Sequence, residues 1–91
     1  MANIHIKRTH NLGIDNARTA VEKLAQTLKS ELQADFKWSG DKLLFKRSGA
    51  SGTIDVGSDY IDLDIRLSMA LSLMKGKIED TINTKLDSAL S

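Results

Sequence analysis

The sequence predicts an α+β fold: a five-stranded antiparallel sheet with two helices packed on one face, in the order β-α-β-β-β-β-α. Three observations predict it. Apolar residues alternate with polar ones in short runs, most cleanly where Ile61, Leu63, Ile65 and Leu67 interleave with Asp62, Asp64 and Arg66. That is the period of a half-buried strand. Two longer segments repeat at three- and four-residue steps, the period of a helix. Four strand segments follow one another with only short turns between them, which favours an antiparallel meander.

The first strand is Ile4-His5-Ile6-Lys7, ending near Arg8 because Asn11-Leu12-Gly13 has loop chemistry. Asp15 or Asn16 offers a side-chain oxygen to cap the first helix. From Ala17 onward Val21, Leu24, Ala25, Leu28 and Leu32 form one apolar stripe, with Arg18, Glu22, Lys23, Gln26, Lys29 and Glu31 on the other faces. Phe36 and Trp38 flank Lys37 in a second strand that ends at the Ser39-Gly40-Asp41 turn. Leu43, Phe45 and Arg47 alternate with Leu44 and Lys46 in a third. Ser48 to Gly52 reads as a flexible turn; it is no phosphate loop, which would end in Gly-Lys-Ser/Thr and open a helix. Ile54 and Val56 mark the fourth strand, Gly57-Ser58-Asp59 turns it, and Ile61 to Leu67 is the fifth. The last helix starts near Ser68 and keeps its period through Leu71, Met74, Ile78, Ile82, Leu86 and Ala89.

Alternate strands of a meander reverse direction, so the first strand is antiparallel to the fifth and completes an all-antiparallel sheet beside it. The helices then cover the face carrying Ile4, Phe36, Trp38, Leu43, Phe45, Ile54 and Leu63. His5, Lys7, Lys37, Lys42, Lys46, Asp55, Asp62 and Asp64 lie on the other. Opposite charges are expected on neighbouring strands, with Lys46 near Asp55, and His5 and Lys7 near Asp62 and Asp64.

A chain of 91 residues makes one domain, residues 1–91, with surface enough for a single core. The absence of cysteine excludes disulfides and thiolate zinc sites. A formal net charge of +1 provides no long-range field toward nucleic acid or an anionic membrane. The run Met69 to Met74 is too short to span a bilayer, and no apolar leader precedes the first strand. The expected location is cytoplasmic.

No residue set points to catalysis, a cofactor or a metal. His5 and His10 are the only histidines, and a metal would need more ligands converging with them. Lys7-Arg8 and Lys46-Arg47 could grip phosphate. A sheet that reads RNA adds exposed aromatic rings, however, and here Phe36, Trp38 and Phe45 share the inward parity. Nucleic acid is therefore not an expected partner. Asp62 and Asp64 stand about 6.5–7 Å apart on one strand face. They lack the deep cleft and raised pKa that a catalytic carboxylate pair needs, and no serine has a recognisable base or elbow.

Ser68 to Met74 carries more apolar residues than one stripe can use. Leu71 and Met74 can face the sheet, which leaves Met69 and Leu73, four apart, for a partner or for packing on the first helix.

Ile4 to Arg18, "IHIKRTHNLGIDNAR", and Leu43 to Val56, "LLFKRSGASGTIDV", closely resemble the small polyhydroxyalkanoic acid (PHA) system proteins, the granule-region family. The resemblance extends through the final strand into the apolar helix with Lys75-Gly76 and covers nearly the whole chain. It implies a setting among bacterial genes for PHA storage polyester, with no established reaction and no catalytic residue to carry over. Two functions follow as expectations. One is a non-enzymatic accessory protein, cytoplasmic and granule-associated, that binds the granule surface or a granule-associated protein through Met69 and Leu73. The other is a binder of small apolar ligands such as acyl chains, with Trp38, Phe45 and Met74 lining a pocket between helix and sheet.

Overall fold

The alternating segments form the sheet. β1 (Ala2–Thr9), β2 (Asp35–Ser39), β3 (Lys42–Arg47), β4 (Ala50–Val56) and β5 (Tyr60–Leu67) lie in the order β1-β5-β4-β3-β2, and every neighbouring pair is antiparallel. The computed structural model describes residues 2–90. α1 (Gly13–Leu32) and α3 (Lys75–Leu90) pack on the same face and against each other, with the one-turn α2 (Met69–Ser72) between β5 and α3.

The core lies between the sheet and the helices. Leu43, Ile54, Ile61 and Leu63 from the sheet are fully enclosed, as are Ala17 and Val21 of α1 and Ile82 and Leu86 of α3. Each fully buried Leu or Ile contributes about 1.5–3 kcal/mol against exposure. Phe45 sits opposite Gly52 on this face, and a Cβ at Gly52 would lie 2.6 Å from both the Phe45 ring and the Asp64 carbonyl oxygen. The absent side chain is what lets the end of the Phe45 ring approach β4 so closely.

Register departs from expectation in one strand pair. Lys46 does not meet Asp55; it stands opposite Asp35 and Ser51, while Lys42 takes Asp55 at 3.5 Å. The cause is turn length. β4 starts at Ala50, directly after a two-residue turn in which Gly49 adopts φ +88°, and Arg47 pairs with Ala50. Ser48 to Gly52 is thus a tight turn plus strand, in the hairpin geometry that glycine makes accessible.

Both helix starts also differ. α1 begins at Gly13, four residues before Ala17, and neither Asp15 nor Asn16 caps it. The Leu12 N–H bonds instead to His10 Nδ1 at 3.2 Å, and Asn16 Nδ2 donates back to the Leu12 carbonyl at 3.1 Å. Asp15 contributes charge in the first turn, where the helix dipole favours a carboxylate. The single last helix becomes two, α2 and α3. The Met74 N–H bonds to Leu71 O at 2.9 Å, a tightened i→i−3 turn, before Ile78 N–H resumes the ordinary spacing to Met74 O. Leu71, Met74 and Ile78 stay in phase across the break, so periodicity alone does not reveal it.

Candidate functional site

The two histidines are structural ties. His5 Nε2 donates to Asp62 Oδ1 at 2.8 Å on the exposed sheet face. His10 is only 7% exposed: Nδ1 accepts from Leu12 and Nε2 faces the Tyr60 carbonyl at 3.3 Å. One accepting and one donating nitrogen define a neutral ring with its proton on Nε2. His10 thereby joins the end of β1, the start of α1 and β5. No three His, Asp or Glu side chains converge as a metal site among the described residues.

Each basic pair is divided by strand parity. Lys7 points to the open face and sits 5.6 Å from the centroid of the Tyr60 ring. Arg8 points inward, to Asp87 at 2.6 Å and Asn83 at 3.1 Å on α3. Lys46 is exposed, whereas Arg47 Nη1 donates to the Leu32 carbonyl at 2.8 Å and Nε to Ser48 O at 3.1 Å. Arg47 therefore satisfies a carbonyl at the C-terminal end of α1, where Gln33 adopts the left-handed φ of 58°. Asp62 and Asp64 share the open face with lysine and histidine neighbours: Asp64 opposes His5, and Asp62 opposes Lys7 and Asp55.

The open sheet face holds a shallow hollow of about 560 Å³ around Leu44, Ser51 and Thr53, bordered by Lys37, Lys46 and Asp64. A narrower groove of about 410 Å³ runs between α1 and α3, floored by Leu32, Met74 and Ile78 and edged by Glu31, Lys77 and Thr81. It adjoins an internal apolar cavity of about 20 Å³ that Phe45, Leu71 and Met74 help to line. Trp38 lies elsewhere. Its Nε1 donates to Glu22 at 2.9 Å, and Arg18, itself 2.9 Å from Asp41, stacks 4.5 Å from the ring centroid. Of the three residues expected around an acyl-chain pocket, Phe45 and Met74 meet at the cavity and Trp38 does not. A space of this size has room for about one water molecule, which needs roughly 10–15 Å³ of such space.

The corner formed by α2 and the start of α3 is the most exposed apolar surface. Leu73 is 94% and Met69 78% exposed, with Met74 beside them at 36%. Leu71 packs inward, close over Gly49, and the Ser68 N–H bonds to Gly49 O at 2.7 Å, which fixes the corner to the β3–β4 turn. The first turn of α3 has no carboxylate and carries Lys75 and Lys77 instead. Neither lysine has an ion pair among the described residues. Lys75 belongs to the family resemblance, and Lys77 to no motif. Their signal is the lack of any acidic residue between Arg66 and Glu79.

No helix of the described residues is long and apolar enough to cross a membrane. Among curated proteins none matches the chain, and among solved structures none does. A family model matches residues 4–90, and its description, putative polyhydroxyalkanoic acid system protein, names a setting and no reaction. With nearly its whole length matched, the chain belongs to the polyhydroxyalkanoic acid system protein family.

Proposed function

We propose that this protein is a non-enzymatic accessory component of the PHA storage system, binding the granule surface or a granule-associated protein through Met69 and Leu73. The supporting observation is that both side chains stay in solvent while Ile78, Ile82 and Leu86 suffice to dock α3 on the core. Exposed apolar surface of this kind, where it is contiguous, is what partner contacts bury. Their burial against a partner would contribute roughly 25 cal/mol per Å² of apolar area, with none of it drawn from the fold.

The test is Met69→Gln with Leu73→Gln, measured by co-sedimentation with isolated PHA granules beside a thermal melt. Weakened association at an unchanged melting temperature is the expected result. Unchanged co-sedimentation with an intact fold would refute the contact, and a large fall in melting temperature would make both residues part of the core. The acyl-chain reading has less support, since the cavity of about 20 Å³ beneath α2 is too small for a chain.

A further inference from the structure

We infer that this protein associates with a second copy of itself through the free edge of β2, the two strands pairing antiparallel about a two-fold axis at Phe36. The inference is independent of the reading of Met69 and Leu73.

The sheet has two free edges, and only one is complementary to itself. β1, at one end, holds no acidic residue from Ala2 to Thr9, so it offers no opposite charge to its own copy. β2, at the other end, places Asp35, Lys37 and Ser39 on the open face and Phe36 and Trp38 on the helix face. Asp35 and Lys37 are exposed, and neither has an ion pair among the described residues. Their neighbours on β3 are Lys46, opposite Asp35, and Leu44, opposite Lys37.

Parity decides which main-chain groups face outward. A two-residue turn joins β2 to β3, so Ser39 and Lys42 close the hairpin and bond each other. The Asp41 carbonyl accordingly points the other way and accepts from the Val56 N–H at 2.9 Å. Hydrogen-bonded pairs alternate along an antiparallel ladder. Lys37 and Asp35 therefore turn their N–H and C=O groups toward β3, while Phe36 and Trp38 turn theirs to the free edge. Such a row of unpaired groups is a template for another strand.

Charge then selects the register. Centred on Phe36, the pairing sets Asp35 opposite the partner's Lys37, twice, at the closely spaced positions of the ladder. Asp35 comes to lie between Lys46 of its own chain and the partner's Lys37. The two Phe36 residues exchange main-chain bonds, and their half-buried rings meet on the helix face. Centred on Lys37, the pairing opposes two lysines; centred on Trp38, it opposes Asp35 with Asp41. A lone lysine on a short edge strand discourages pairing. Asp35, two residues away, makes this edge self-complementary. The two-fold operation is closed, so assembly stops at two copies. Five residues a side bury little area, and the dimer is weak and concentration-dependent.

The test is sedimentation velocity on the full chain over a concentration series up to about 1 mM. A monomer–dimer equilibrium is the expected result. Asp35→Lys and Lys37→Asp each turn both contacts into like-charge pairs, and each should weaken the dimer roughly tenfold. Mixed in equal amounts, the two variants should dimerise again, because each then meets the opposite charge. His5→Gln with Lys7→Gln, on β1, should leave the equilibrium unaltered. Lys37→Asp faces only Leu44 within its own sheet, so loss of its dimer at an intact melting temperature suffices where Asp35→Lys, beside Lys46, is destabilised. A wild-type chain that stays monomeric, species that grow beyond two copies, or a dimer indifferent to both substitutions would each overturn the inference. So would a mixture of two well-folded variants that stays apart.

Discussion

Adjacent cations in this protein do different work, and Lys46 and Arg47 allow that difference to be measured. Arg47 Nη1 donates to the Leu32 carbonyl at 2.8 Å, closing the end of α1 at the residue before the left-handed Gln33. A hydrogen bond from a charged donor contributes about 1.5–3 kcal/mol, and a cation at a helix C-terminus adds about 0.3–1 kcal/mol. Arg47 is half-buried, so solvent can replace part of both terms, and Arg47→Met should cost about 1–2 kcal/mol. In a domain of this size, 1 kcal/mol moves the melting temperature by about 4–8 °C. The expected fall is then about 5–15 °C by differential scanning calorimetry. Lys46→Met, one residue earlier and exposed, should move it little, since exposed surface substitutions fall within about 0.5 kcal/mol. Arg47→Lys should fall between the two, keeping the charge and losing the planar fork that reaches both carbonyls. If Arg47→Met and Lys46→Met melted together, the division of the pair by strand parity would not carry the stability assigned to it.

Leu63 is fully buried at the middle of β5. Leu63→Asp should abolish folding, seen as loss of the cooperative melt, because an unpaired buried charge costs as much as the domain's whole stability. His5→Gln with Lys7→Gln removes only exposed pairings and should change stability by no more than about 1 kcal/mol in urea denaturation. Gly52→Ala should destabilise by about 1–3 kcal/mol, because the new Cβ meets both the Phe45 ring and backbone. A wild-type denaturation midpoint for that variant would mean that β4 yields at this point.

Period and parity made the sheet legible: inward Leu43, Ile54, Leu63 and Ile65 are all buried, and β1 lies beside β5. Register was not legible to the same degree, because it depends on turn length. Reading Ser48 to Gly52 as one loop displaced β4 along β3 and brought Lys46 toward Asp55 in place of Lys42. The start of α1 was hidden because no side chain caps it: the N-cap position is Leu12, whose own N–H is held by His10 Nδ1 from the preceding loop. At the corner, the surplus of Met69 and Leu73 could be read from spacing, since one helical stripe has no place for them. The groove between α1 and α3 could not, because Leu32 and Ile78 meet only through tertiary packing.

The strand order also bears on how the chain assembles. β2 to β4 pair across two-residue turns, whereas pairing of Thr9 with Tyr60 encloses roughly fifty residues. Loop-closure entropy makes that last pairing costlier by about 2–3 kcal/mol, so the meander is the natural nucleus and β1 the late arrival. α3 in turn leans on β1, through Arg8 with Asn83 and Asp87. The first strand and the last helix, far apart in sequence, are thus tied to each other, and the expected outcome is that they open together. Amide protons of β1 and α3 should exchange through a shared opening of lower free energy than the one that frees β3 and β4.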